Sequence, residues 1–208
     1  MSRHTQYRGG VKRIALGGGI GAGKSTVVDY LRARGYVAID ADEVYRDLVA
    51  RQQPLLATLV DAFGTAILTS DGELDRSFLS SVVFSDRSAL NRLNAITHPI
   101  VGRQMRRTLD AASGDVAFVA IPLLRLEHRH QLALDEVWSI QVASEVAIDR
   151  LVSQRAMSVH EARTRIDSQM SNAEREQLAD EVIWNNADRD ALRDRVDELL
   201  RSRGLDVA

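Results

Sequence analysis

The chain has 208 residues, 45% hydrophobic and 27% charged, with a formal net charge of −2, which suits one globular domain with insertions and argues against a dedicated nucleic-acid binder, whose affinity needs an excess of basic charge. Cysteine is absent, which excludes disulfides, thiolate catalysis and thiolate-bound zinc. The longest apolar run, Val116 to Leu124, is too short to span a bilayer, and residues 1–10 lack a signal-like apolar stretch and read as a flexible tail, so a soluble cytoplasmic protein with no nucleic-acid, membrane or obligate protein partner is expected.

Val11 to Leu16 reads as an apolar strand running into glycines. Ser25 to Arg34 follows with Val27, Val28 and Leu31 at helical spacing, and Gly35 is a helix stop. Tyr36 to Ile39 is a second short strand ending at Asp40. Strand, loop, helix and strand within about 30 residues make a βαβ unit, which calls for a parallel sheet. A mostly helical stretch comes next: Asp42 to Ala50, Leu55 to Phe63, Phe78 to Val83, Ser88 to Ile96 and Pro99 to Ala112, with a turn at Asp71-Gly72. Val116 to Ile121 is a continuous apolar run, as a buried central strand requires. Glu136 to Val142 is a further strand. Ser144 to Gln154 is a helix capped by Ser144. Ser158 to Met170 is a solvated helix, Glu181 to Trp184 a last strand, and Asp188 to Ser202 the closing helix.

Gly18-Gly19-Ile20-Gly21-Ala22-Gly23-Lys24-Ser25 fits the phosphate-loop pattern G-x-x-x-x-G-K-[ST]. The glycines let backbone N–H groups close around phosphate oxygens, and the following helix points its positive end at the same anion. Lys24 can neutralise β- and γ-phosphate charge, Ser25 can place its hydroxyl on Mg²⁺, and Thr26 can reach the α-phosphate. Lys12 and Lys24 are the only lysines among 27 basic residues, and one of them falls in this loop. The motif sits between a strand and a helix, as it must.

No N-K-x-D sequence is present, which removes the usual guanine reader. The strand ending at Ile121 leads into Pro122 rather than an aspartate, so the metal carboxylate usual at that place is missing. Asp40-Ala41-Asp42, at the carboxyl end of the second strand, is the best replacement. Ligands bind at that edge in open α/β sheets, and a carboxylate there can accept the proton of an attacking hydroxyl or order water on Mg²⁺. Capping of the next helix is the plainer role for the pair. Arg150, Arg155, Arg163 and Arg165 form a further group. A kinase needs a cover that excludes water, and arginines on it can stabilise the transferred phosphoryl group. Arg163 and Arg165 read better as part of a solvated helix face with Glu161 and Asp167.

From about residue 13 to residue 202 the sequence resembles the dephospho-coenzyme A kinase family. The motifs run in order: the phosphate loop with Thr26, Ile39-Asp40-Ala41-Asp42 with Arg46, Asp71-Gly72-Glu73-Leu74-Asp75-Arg76, Val83-Phe84-Ser85-Asp86, Leu93-Asn94-Ala95-Ile96-Thr97-His98-Pro99, Pro122-Leu123-Leu124, Arg150-Leu151, Arg155, Gln169 and Asn185-Asn186. The resemblance implies an α/β fold of the P-loop NTPase type: three αβα layers, a five-stranded parallel sheet, a helical substrate-binding insertion at about 43–112 and a helical lid at about 150–178, in one domain over 11–208. It implies ATP and Mg²⁺ as cofactors and phosphorylation of the ribose 3′-hydroxyl of dephospho-CoA, the last step of coenzyme A synthesis. The family's catalytic aspartate corresponds to Asp42. Lys24, Arg150 and Arg155 join it in the expected catalytic set. Gly18, Gly19, Gly21, Ala22, Gly23, Lys24, Ser25 and Thr26 bind the nucleotide, with Asn185 in a segment near the adenine. His98 with Pro99 matches a helix-start pair in the substrate region, and His98 and Glu127 are expected substrate contacts.

The sequence departs from the family at three places. Gly17 replaces a usual threonine or serine. Glu127 stands one residue later than the glutamate of the family's Pro-Leu-Leu-x-Glu. Trp184 precedes Asn185, and Ala187 follows Asn186 where a glycine is usual nearby. Two other readings stay open at this point: a kinase for another hydroxylated metabolite or nucleotide, and a nucleotide-binding regulator without transfer activity.

Overall fold

The computed structural model describes residues 10–205, so the tail expected at 1–10 lies outside the described residues except for Gly10. The described chain divides into two compact units, one built from the chain up to Asp40 and again from Leu109, the other from Ala41–Thr108.

The first unit holds a five-stranded sheet in the order β2-β3-β1-β4-β5, with every neighbouring pair parallel. Its strands are β1 (Lys12–Gly18), β2 (Val37–Asp40), β3 (Val116–Ala120), β4 (Glu136–Gln141) and β5 (Glu181–Trp184). Parallel strands need crossover helices, which cover both faces, so the central strands must be apolar throughout. β3, Val-Ala-Phe-Val-Ala, is buried at all five positions. Phe118 anchors the core, edge-on to Tyr36 at 5.7 Å and tilted against Trp138 at 5.6 Å between ring centroids. After β1 the chain crosses to β2 on one side, and after β3 it passes over β1 to β4 on the other. β1 is therefore the switch point, the place where open α/β sheets take ligands beyond their carboxyl ends.

The helix α1 (Lys24–Ala33) buries Val27, Val28 and Leu31. It stops as the sequence predicts: Gly35, at φ 85°, lets its own N–H reach the Arg32 carbonyl at 2.9 Å and the Tyr36 N–H reach Leu31 at 3.0 Å, a Schellman closure. The later helices of this unit are α6 (Leu126–Gln131), α7 (Ser144–Arg155), α8 (Val159–Asp167), α9 (Asn172–Leu178) and α10 (Arg189–Ser202). Asp188 caps α10 by accepting from the N–H groups of Asp190 and Ala191.

The second unit is helical: α2 (Ala41–Leu48), α3 (Pro54–Phe63), a single 3₁₀ turn at Thr65–Ile67, α4 (Arg76–Ser85) and most of α5 (Arg87–Asp110). Leu55, Leu56, Leu59, Ile67, Leu79 and Val83 form its core. The turn at Asp71-Gly72 is present, closed by Thr69 N–H on the Glu73 carbonyl at 2.8 Å.

Four expectations change. Ser88 to Ile96 and Pro99 to Ala112 are one 24-residue helix with Pro99 inside it; proline removes one donor, but the helix continues on both sides of it. His98 is therefore not at a helix start but exposed in the middle of α5. Ser144 is the first residue of α7 rather than its cap, because the first helical hydrogen bond, from the Ala147 N–H, closes on Ala143 at 3.0 Å. Ser158 to Met170 is not one helix. Ser158 and Ser171 each form a capping box, with Glu161 and Glu174, so α8 and α9 start separately.

Candidate active site

The loop after β1 runs where side chains do not fit. Gly18 has φ 148°, and a Cβ on it would lie 2.4 Å from the Ile140 carbonyl oxygen of β4. Gly23, at φ 98°, precedes α1, and a Cβ there would meet Asn185 Nδ2 at 2.5 Å. Between them the Ala22 N–H donates to the Gly19 carbonyl at 3.3 Å. Lys24, the first residue of α1, folds back over the loop and donates from Nζ to the Gly18 and Gly19 carbonyls at 2.7 and 3.1 Å. No side chain caps α1, and its first turn holds no acid. The first-turn N–H groups and positive helix end thus suit an anion, with no carboxylate of that turn competing for them. Ser25 is exposed and Thr26 half-buried in that first turn.

Asn185 and Arg150 brace the loop. Asn185, which follows β5, is buried. Its Nδ2 donates to the Ala22 carbonyl at 2.8 Å, its Oδ1 accepts from Arg150 Nη2 at 3.3 Å, and its own N–H donates to the Gln141 carbonyl at 2.8 Å. Arg150, on α7, also donates to the carbonyls of Gly21 (3.4 Å) and Ala187 (2.9 Å). Sequence reasoning placed Asn185 near an adenine and Arg150 on a lid; the structure has both side chains hydrogen-bonded around the loop backbone.

Two further side chains reach the loop. Gln169, after α8, accepts the Ile20 N–H on Oε1 at 2.9 Å. Arg175, on α9, lies so close that a Cβ on Gly19 would be 2.7 Å from its Nη2. Burial holds the Arg175 guanidinium below its ordinary pKa, against the nearby Glu174 charge. Both residues line a small open pocket with Gly17, Gly18, Ser139 and Leu178. Gln169 enters the sequence analysis only as part of the resemblance, and Arg175 not at all. The missed signal is the Ser171-x-x-Glu174 capping box, which fixes where α9 begins and hence where Arg175 falls.

The remaining expected residues lie elsewhere. Asp40 ends β2 in register with Ala120 of β3, which pairs in turn with Leu16 of β1, so the carboxyl end of β2 lies on the same sheet edge as the loop. Asp42 follows two residues later, exposed in the first turn of α2 and in the second unit. His98 is also in the second unit. Arg155, the last residue of α7, is exposed. Glu127 is exposed in the first turn of α6, 3.9 Å from Arg125. Among the described residues, neither Arg155 nor Glu127 makes a hydrogen bond or ion pair to the loop. No group of three or more His, Asp or Glu side chains able to hold a metal occurs among the described residues, and no helix there is long and apolar enough to cross a membrane.

A family model described as dephospho-CoA kinase matches residues 12–191. The chain is 41% identical over 188 residues to a dephospho-CoA kinase of Streptomyces avermitilis, covering 90% of this chain and 91% of the relative. It is 38% identical over 191 residues to one of Carboxydothermus hydrogenoformans, covering 90% and 92%. Among solved structures it is similar to TT1252 from Thermus thermophilus, with a TM-score of 0.79 at 30% identity, covering 93% of this chain and 98% of that one. The fold is also that of a dephospho-CoA kinase from Campylobacter jejuni, with a TM-score of 0.62 at 22% identity over 92% and 96% of the two chains.

Proposed function

The chain belongs to the dephospho-CoA kinase family, and from that premise we propose that it transfers the γ-phosphoryl group of ATP to the ribose 3′-hydroxyl of dephospho-CoA, giving coenzyme A and ADP in the cytoplasm. The observation that carries the donor half is the loop itself: a backbone open to anions, an uncapped helix start, and Lys24 folded over both.

ATP docks with its phosphates on the loop. Lys24 exchanges the Gly18 and Gly19 carbonyls for phosphate oxygens. Asn185 and Arg150 hold the loop in shape, which removes reorganisation from the reacting complex. Ser25 is the one protein ligand assigned to Mg²⁺, which characteristically keeps several waters and takes its remaining oxygens from phosphates. The Ser25 hydroxyl, exposed in the first turn of α1 next to the loop, would suit that place. The metal, when bound, neutralises charge on the transferring group. Asp42 orients the acceptor hydroxyl and takes its proton. The segment at about 150–178 acts as the lid, and Arg155 comes to the phosphoryl group when it closes. His98 and Glu127 contact the acceptor. Most of the rate enhancement comes from positioning and charge stabilisation.

The test is a turnover assay that follows ADP and coenzyme A together, with dephospho-CoA compared against AMP, adenosine and sugar alcohols. Stoichiometric ADP and coenzyme A from dephospho-CoA alone is the expected result. ATP binding without conversion of dephospho-CoA at any concentration would refute the proposal.

A further inference from the structure

Among the described residues Arg175 is a cation without an ion pair, with the Glu174 charge nearby but turned to another partner. It is half-buried, and its guanidinium donates from Nη1 to the neutral Asn172 Oδ1 at 3.3 Å. Among the described residues no carboxylate lies within ion-pair distance of it. The adjacent Glu174 accepts instead from the Ser171 N–H and hydroxyl, at 2.7 and 2.8 Å. Three other partly buried arginines of this unit are ion-paired, Arg203 with Glu136 and Glu181, Arg13 with Asp110 and Arg34 with Asp197, while Arg150 is held by two backbone carbonyls and the Asn185 amide. A charge withdrawn from water without a partner is costly, and such a charge beside a phosphate loop marks where an anion arrives.

The neighbouring acceptor points the same way. The Ile20 N–H belongs to the loop's anion cradle, yet it is held by a neutral amide oxygen, Gln169 Oε1, at 2.9 Å. A Cβ on Gly19 would lie 2.7 Å from Arg175 Nη2 and 3.3 Å from Gln169 Oε1. The two side chains therefore lie together on the Gly19–Ile20 corner. In phosphate loops the backbone near the helix start takes the inner phosphates. Gly19 and Ile20 lie five and four residues before Lys24, at the other end of the loop, where the last phosphate of a triphosphate falls.

We propose that Arg175 binds the terminal phosphate of the nucleoside triphosphate, and that Gln169 holds the Ile20 N–H until a phosphate oxygen replaces its amide oxygen. The pair makes the loop selective for a triphosphate over a diphosphate. The proposal rests on the reading of this loop as the ATP site.

Calorimetric titration of the full chain with ADP and with β,γ-imido-ATP, each with Mg²⁺, decides it. Arg175→Gln should weaken the imido-triphosphate on the order of 10-fold, as loss of a charged hydrogen bond does, and leave ADP within about 2-fold. Arg175→Lys should restore part of the ratio between the two affinities. Gln169→Leu should leave the triphosphate bound as tightly as before or more tightly. Equal losses for both nucleotides in Arg175→Gln, or no loss in either, overturn the role of Arg175. If that variant does not fold, the affinity ratio in Arg175→Met decides in its place, an unchanged ratio overturning the role. Weaker triphosphate binding in Gln169→Leu overturns the place-holder. If the unaltered chain binds neither nucleotide, the ATP site itself is wrong, an outcome distinct from all of these.

Discussion

Gly23→Ala isolates how the loop is braced. Two costs are expected. The first is conformational: Gly23 has φ 98°, and an L-residue held in the left-handed region costs about 1–2 kcal/mol. The second is steric and polar: the new methyl would lie 2.5 Å from Asn185 Nδ2, which donates at 2.8 Å to the carbonyl of the buried Ala22. Asn185 is buried and cannot swing into water, so it must give up that bond. Stranding a buried acceptor costs about 1–3 kcal/mol. The single variant should therefore lose about 2–5 kcal/mol in urea unfolding. In an Asn185→Ala background the amide is already gone, and only the conformational cost of about 1–2 kcal/mol remains. The double-mutant cycle should thus show the two substitutions costing less together than apart, by about 1–3 kcal/mol. Strict additivity would refute the reasoning, because Gly23 would then be required only for its backbone angle and Asn185 would not brace the loop.

Asp42→Asn should cut kcat about 10²- to 10⁴-fold, the range of a lost general base, with ATP affinity within about 2-fold by calorimetry; near-normal turnover would remove Asp42 from the chemistry. Glu136 predicts the acid limb of stability. Burial alone would raise its carboxyl, but Lys12, the Trp138 indole N–H (2.9 Å) and Arg203 (2.8 Å) outweigh that and hold it below its ordinary value. The stabilisation is therefore present above the unfolded value of about 4.3 and is lost as pH falls through the lower folded value. Glu136→Gln should lower the urea midpoint near neutrality and flatten its decline below about pH 4. An acid limb as steep as that of the unaltered chain would show that other carboxylates set it.

Most of the sheet was legible because its strands are buried on both faces. β3 reads as an unbroken apolar run, and β5 was bounded correctly as Glu181–Trp184 by the polar residues around it. Where local rules compete, the sequence was ambiguous. Pro99 is a helix breaker by propensity, but α5 continues through it, with Leu93, Ile96 and Ile100 packed against the core of the second unit. Tertiary burial prevailed over one missing hydrogen bond. The short helix α6 was not anticipated at all. Its six residues carry no apolar stripe, and none of them is buried.

The candidate site divides along the same line. Lys24, Ser25 and the glycines were legible because the anion is recognised by backbone, and backbone shape leaves a contiguous signature in sequence. Asn185, Arg150, Gln169 and Arg175 converge on that loop from positions between 129 and 163 residues away from the atoms they touch or crowd. Sequence spacing carries no information about such convergence, which the parallel sheet creates by bringing β4, β5 and their following helices beside β1. Chemical type alone does not assign a role to each arginine. Arg150 and Arg155 both read as lid arginines, yet Arg150 is occupied by the Gly21 and Ala187 carbonyls and by Asn185. A guanidinium already committed to backbone carbonyls stiffens the loop, whereas Arg175, which donates to the neutral Asn172 side chain, keeps donors for an incoming phosphate. What separates the two roles is the set of partners each arginine already has, and that set exists only once the chain is folded.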